Sequence, residues 1–307
     1  MFHPRLTYPE IDIAFGEPEC ACDLPGTPLQ QSGPYAATLA HFGCTSALAE
    51  LRAEGALIGR ARIHLRKIGP LRLAWMPRGP VWCAGAPPDL CTRANAALTR
   101  AAPWRALWAT STDAGLEATG LGKTGLRASK GMKMAELDLR PDEAARRAAQ
   151  HGKWRNRLAH AEKAGLTVTA RPLDLPRDAP LLAAETAQRK VRRYAALPTA
   201  FTERWAAFAP EANLMITAAE AGTPVAFMLM LLHGDTATYH IGWTGPRGRG
   251  LSAHNLLLWR ASCILSQRGY ARLDLGLADP ARGPGLARFK LEAGAMLRDI
   301  GPTRLHL

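Results

Sequence analysis

The sequence predicts an α+β protein in which one layout is used twice. Three observations predict it. Short apolar runs of strand length recur between Gly, Pro and Asp turns. Stretches of helical character, Leu90 to Ala101 and Ser252 to Arg268, each follow a group of such strands. The 307 residues suit two domains at about 100–200 residues each. Each half reads as a strand meander, a helix and a further strand. A boundary near residue 145 gives domains 1–145 and 146–307.

In the first half, Pro25, Gly26, Pro28, Gly33 and Pro34 mark residues 1–34 as loop. A helix begins near Tyr35. Ser46 to Leu51 and Ala56 to Leu65 form a hairpin about Ala53-Glu54-Gly55. Leu71 to Met76 is a third strand, ending in Pro77-Arg78-Gly79-Pro80-Val81-Trp82. After the helix Leu90 to Ala101, Trp104 to Ala109 and Met132 to Leu139 are strands.

In the second half, Pro141 opens a helical stretch, since proline suits a first turn. A helix over about Lys153 to Ala164 stops at Gly165, and Leu166 to Arg171 is extended. Helices follow near 178–193 and 200–208. Asn213 to Ala219, Val225 to Leu232 and Thr236 to Trp243 are three strands joined by tight turns. A glycine-rich loop, Gly245 to Gly250, precedes the long helix from Ser252. The strand Ala271 to Leu275, the short helix Leu286 to Glu292 and one or two strands end the chain.

Hydrophobic residues make up 47 % and charged residues 21 %, enough for a sizeable core. The formal charge of +13 favours anionic partners such as RNA, a nucleotide cofactor or a phosphorylated substrate; a basic, solubilising surface is the alternative. Six irregularly spaced cysteines, with Cys20-Ala21-Cys22 lacking a second pair, point to reduced thiols in a cytoplasm and to no metal site. The longest apolar run, Val225 to Leu232, is too short to span a bilayer, which leaves peripheral contact as the membrane option.

Four segments can carry chemistry. In Gly245-Pro246-Arg247-Gly248-Arg249-Gly250-Leu251-Ser252, Gly248 and Gly250 allow close backbone approach to phosphate, and Arg247 and Arg249 add charge. A plain turn capped by Ser252 is the alternative. Arg146 to Arg171 holds seven Lys or Arg and one acid, Glu162. Within it Lys153, Arg157 and His160 share a helix face, with Arg155 beside them. That stripe suits a phosphate backbone, and a solvated helix face is the alternative. Gln188 to Tyr194, with Arg189, Arg192 and Arg193, grips phosphate or simply ends a helix with favourable charge. Lys290, after Phe289, is placed to stabilise an oxyanion or a donor phosphate, unless it is a surface lysine.

Other motifs fail. Gly122-Lys123-Thr124 lacks the earlier P-loop glycine, because Glu117 stands there. Neither a G-x-S-x-G elbow nor an H-E-x-x-H helix is present, and His233 and His240 read as structural.

Several segments together resemble the FemA/FemB/FemX family of GNAT-fold transferases, which add amino acids from charged tRNA to peptidoglycan precursors. They are Gln31-Ser32-Gly33-Pro34-Tyr35, Pro77 to Trp82, Trp154-Arg155-Asn156-Arg157 with Ala161 to Leu166, Asp274-Leu275-Gly276, and Phe289-Lys290 with Gly294. They keep the family's order over about residues 30–295. The resemblance implies two tandem GNAT-like domains, each a mainly antiparallel sheet flanked by helices, with a substrate groove between or beside them. It implies that Lys290 lies near the reacting centre and that Arg189, Arg192 and Arg193 meet an acceptor phosphate, with Tyr35 where the family usually has tryptophan. Ala36 to His41 holds no lysine, which argues against a nucleotide-linked muropeptide acceptor.

The expected function is transfer of an acyl or aminoacyl group from acyl-CoA or aminoacyl-tRNA, used as co-substrate with no permanently bound cofactor, onto a small-molecule or peptide amine. Lys290 stabilises the oxyanion, and Tyr239, His240 or Asp274 assists proton transfer. The rival is a catalytically inactive GNAT-fold module that binds RNA or another anionic partner.

Overall fold

The computed structural model describes residues 10–16, 23–101, 106–113, 125–194, 196–281 and 283–306. The Cys20–Cys22 pair and the Gly122 to Thr124 motif lie outside them.

In the first half the elements are β1 (Ile11–Gly16), α1 (Gly33–Ala40), β2 (Cys44–Ala53), β3 (Ala56–Ile68), β4 (Leu71–Met76), β5 (Val81–Trp82), α2 (Pro88–Ala101), β6 (Leu107–Thr110), β7 (Leu126–Arg127) and β8 (Met132–Asp138). Then come α3 (Glu143–Ala148), α4 (Gly152–Glu162), β9 (Thr167–Arg171), α5 (Leu175–Arg192), α6 (Thr199–Phe208), β10 (Asn213–Glu220), β11 (Thr223–His233) and β12 (Thr236–Thr244). The remainder is α7 (Pro246–Gly250), α8 (Ala253–Gln267), β13 (Arg272–Leu277), α9 (Pro284–Glu292), β14 (Met296–Ile300) and β15 (Arg304–His306).

Two sheets have the same order. One runs β1-β2-β3-β4-β6-β15-β7, with β5 paired to β3, and the other runs β9-β10-β11-β12-β13-β8-β14. Each is an antiparallel meander of four strands, then a parallel neighbour (β4 with β6, β12 with β13), then an antiparallel strand. That last strand comes from the other half of the chain: β15 completes the first sheet and β8 the second.

Contacts accordingly divide the chain into a unit of 1–25, 42–131 and 299–307 and a unit of 26–41 and 132–298. This differs from a single cut near residue 145. Strand β8 bonds to β13, and α1 packs on α6, where the Tyr35 and Phe201 rings lie 5.5 Å apart. No local pattern reports such long-range partners. Residues 1–34 are not all loop either, since they contain β1, paired to β2 from Ile11 with Ala53 to Gly16 with Leu48.

In the second unit both faces of the sheet are covered, which explains why β11 is apolar at successive positions. Ala226, Met228, Met230 and Leu232 join the cluster that contains Leu256, Leu257 and Trp259 of α8 and Trp154 and Leu158 of α4. Phe227 and Leu229 face the other way, with Leu182 of α5 and Ala206 of α6. In the first unit a cluster of Leu51, Ile63, Met76 and Trp108 packs with Ala94 and Leu98 of α2.

Candidate functional site

The parallel strand pair decides where chemistry can occur, because the two units treat it differently. In the first unit β4 and β6 stay paired to their last residues, Met76 with Thr110. Two further bonds, Ser111 N–H to the Met76 carbonyl and Gly79 N–H to the Ser111 carbonyl, continue the closure. In the second unit the pairing of β12 with β13 stops at Thr238 and Asp274, although β12 continues to Thr244 and β13 to Leu277. The strands part and leave a notch. A bulge in β12, between Met230 opposite Tyr239 and Leu229 opposite Ile241, leaves His240 as the extra residue at its mouth.

On the β13 side, Asp274 is 1 % exposed and its Oδ1 accepts the Gly276 N–H at 2.7 Å. Gly276 has φ +76°, and Lys290 Nζ lies 3.8 Å from where its Cβ would be. Lys290, on the buried face of α9, donates to the Leu277 carbonyl at 2.6 Å. Burial pulls its pKa down to about 8, against the opposing charge of Asp274. The amine stays largely protonated at neutral pH and is a compact buried cation at the end of β13. The predicted Lys290 and Asp274 are thus brought together.

On the β12 side, Tyr239 is partly buried, and its hydroxyl occupies the space a side chain at Gly242 would need. Burial, with Tyr194 and Glu185 nearby, raises its pKa and keeps it protonated. Gln188 Nε2 bonds the Gly242 carbonyl at 3.3 Å and Tyr194 Oη at 3.4 Å, and Tyr194 Oη donates to Glu185 Oε1 at 2.9 Å. His240 Nε2 pairs with Thr202 Oγ1 at 2.7 Å. Burial, then the nearby Arg189, lowers the His240 pKa to about 4, so the ring is neutral. Glu185 is not among the sequence candidates, and Gln188 and Tyr194 enter only as the ends of a basic segment. One acid and one amide inside a basic amphipathic helix carry no signal until β12 is placed beside them.

The segment after β12 is not an open loop. Gly245 to Gly250 contains the short helix α7, and Ser252, at φ 55°, makes no side-chain cap bond to α8. A Cβ at Gly248 would meet the Val225 carbonyl, so that glycine serves close packing on β11. Arg247 forms a bidentate pair with exposed-strand Glu220, at 2.6 Å from Nε. Arg249 donates to the Thr244 carbonyl at 2.7 Å, and Gly250 has open space around its Cα. Arg249 and Arg192 both act on His254 at the start of α8, whose pKa falls to about 4 chiefly through burial. The first turn of α8 is therefore flanked by cations from α7 and α5.

The other predicted cations divide into tied and solvent-facing ones. Arg155 bonds the Ala148 and Gln150 carbonyls at 3.0 and 2.7 Å, holding the end of α3. Arg147 pairs with Glu162, and Arg171 with the buried Asp178. Lys153, Arg157 and His160 are exposed along α4. Arg189 ties α5 to the start of α6 through the Leu197 carbonyl at 2.9 Å and Thr199 Oγ1 at 3.2 Å. Arg193, at φ 54°, caps α5 and is exposed. Among the described residues no group of three His, Cys, Asp or Glu is placed to hold a metal ion.

Residues 144–291, which contain the notch, match the family model described as an acetyltransferase (GNAT) domain. This chain carries a GNAT acetyltransferase domain. It is an acyltransferase, and its two sheets make a tandem GNAT-type α+β fold. The fold is similar to that of FemX, at 14 % identity and a TM-score of 0.71, over 90 % of this chain and 93 % of that one. A conserved protein of unknown function from Bacteroides thetaiotaomicron VPI-5482 is similar at 12 % identity and a TM-score of 0.58, over 93 % of each chain. The C-terminal domain of a putative lysylphosphatidylglycerol synthetase from Agrobacterium fabrum is similar at 16 % identity and a TM-score of 0.50, over 89 % of this chain and 88 % of that one. At these identities the likeness is one of fold. No curated protein matches the GNAT chain in sequence. No helix among the described residues is long and apolar enough to cross a membrane.

Proposed function

We propose that the notch takes an acyl-CoA thioester and transfers its acyl group to a primary amine. The parting of β12 and β13 carries this reading. Beyond Thr238, among the described residues, no strand lies on the β13 side of β12, and the Gly242, Trp243 and Thr244 carbonyls take the Gln188, His254 and Arg249 side chains instead. An extended donor arm that bears amides, as coenzyme A has, fits beside this open strand edge in the manner of an added strand. Its phosphates then meet the first turn of α8, between Arg192 and Arg249. The amine attacks the thioester carbonyl, and the protonated Lys290 stabilises the oxyanion that forms.

One observation favours a second donor. The exposed face of α4, with Lys153, Arg157 and His160, fits a nucleic-acid backbone and hence an aminoacyl-tRNA. Thermal unfolding with coenzyme A, acetyl-CoA and aminoacylated tRNA separates the two. A ligand that binds only the folded chain raises its melting temperature by mass action. Coenzyme A is expected to raise it, and Arg192→Ala with Arg249→Ala to remove most of the rise. A rise with charged tRNA alone moves the reading to aminoacyl transfer. No rise with any of them counts against both donors, and a rise with uncharged as well as charged tRNA but none with coenzyme A supports the inactive, RNA-binding alternative.

A further inference from the structure

Glu185 is unexplained by the transfer chemistry described so far. It lies on α5, is 2 % exposed, and is a carboxylate on a helix whose neighbouring charges are cationic. Buried carboxylates need pairing, and among the described residues no cation is within salt-bridge distance of this one. Arg189, one turn along, is turned to the Leu197 carbonyl and Thr199. Instead Glu185 Oε1 accepts the Tyr194 hydroxyl at 2.9 Å, and among the described residues Oε2 has no donor. Tyr194 is 39 % exposed. Its pKa is raised, first by burial and further by Glu185, which keeps the hydroxyl protonated and donating. Gln188 ties Tyr194 to the Gly242 carbonyl on β12, and Tyr239 faces the same pair. The ionisable groups that act with Glu185 are Tyr194 and Tyr239, with Arg189 one turn along α5 acting on Tyr194.

We propose that Glu185, through the Tyr194 hydroxyl, accepts the proton of the amine that this enzyme acylates. This rests on the reading of the notch as the transfer site. The amine lone pair forms the new N–C bond, and the carbonyl π electrons move to oxygen. One N–H proton passes to Tyr194 Oη as the Tyr194 proton passes to Glu185 Oε1. The adduct then collapses, the bond to the donor's sulfur breaks, and the thiolate takes a proton from solvent. Glu185 returns its proton to solvent through the exposed Tyr194. The net products are an amide and a free thiol. Gln188 is a positioning residue, since it holds Tyr194 against β12.

Two measurements test this. The first needs no substrate: the infrared carboxylate band lost in Glu185→Gln is recorded at neutral pH. A relay requires that band to be present in the wild type, and a protonated Glu185 overturns the proposal. The second follows thiol release from acetyl-CoA with a panel of primary alkylamines. Tyr194→Phe and Glu185→Gln are each expected to lower kcat about 100-fold, the lower range for general-base catalysis. The double variant should lose no more than either single one, because the two act as one unit. The effect of coenzyme A on melting should be unchanged in all of them. Wild-type kcat in Tyr194→Phe, which keeps the ring of a residue 39 % exposed and should fold, overturns the proposal. So do additive losses in the double variant. An ionised Glu185 in a wild type that acylates no amine on the panel identifies the transfer reading as the failure, and the relay falls with it.

Discussion

Two buried histidines make the second unit sensitive to acid. His240 and His254 have pKa values near 4 in the folded chain, both lowered mainly by burial, against an ordinary value of 6.5. Below that ordinary value the unfolded chain binds protons that the folded chain refuses. Stability is therefore expected to fall as pH drops from 6.5 towards 4, and His240→Gln should flatten that slope in urea titrations at several pH values. Lys290 works on the alkaline side. Its pKa of about 8, against 10.5, means that stability rises between those values, when the unfolded chain alone still carries the proton. Transfer should decline over the same rise, as the cation at the notch is neutralised. Lys290→Met is expected to keep the fold and lose at least about 100-fold in kcat, as when an oxyanion donor is removed. Equal kcat in Lys290→Met and wild type would remove Lys290 from the chemistry.

Elements set these side chains where they act, and small residues at their contacts carry much of the cost. A Cβ at Gly248 would strike the Val225 carbonyl and lie 2.6 Å from Thr244 Oγ1. Gly248→Ala is expected to destabilise the chain by about 1–3 kcal/mol, read from the urea midpoint, because neither atom can move freely. Asp178 anchors the start of α5: it is 1 % exposed, takes Arg171 at 2.6 and 2.8 Å, and accepts the Asp174 N–H at 3.0 Å. Asp178→Ala leaves Arg171 without its buried partner and should cost about 3–5 kcal/mol. A loss under about 1 kcal/mol would show that the pair is dispensable. The helices and most strands were legible, since α2, α5, α6 and α8 carry apolar periodicity and β10 to β12 are apolar runs between turns. Strand β1 was passed over although Ile11, Ile13 and Phe15 alternate, because the prolines that follow it mark a loop. The helix α7 is hidden in the sequence because proline and two glycines usually break helices, and here packing on β11 overrides that preference.

At the level of the whole chain, the exchanged strands β8 and β15 make each sheet depend on a distant segment. A chain ending at residue 298 lacks β15 and leaves the edge of β6 unpaired. Amide hydrogen exchange is then expected to quicken in β6 while β11 and β12 keep their protection, and uniform loss across both sheets would contradict the division into units. A fragment starting at residue 146 lacks β8 and should lose protection in β13 for the same reason. The sequence alone determined the α+β class, the repeated layout, and the presence of Asp274 and Lys290 as candidates. Periodicity, turn residues and charge are local properties that a linear reading recovers. Tertiary structure alone decided that β12 and β13 part while β4 and β6 stay zipped. It also decided that β8 and α1 belong with the second half, and that Glu185, Gln188 and Tyr194 gather at Gly242. Those facts depend on which distant backbone groups find hydrogen-bond partners, and such pairing is set by the packing of the whole unit.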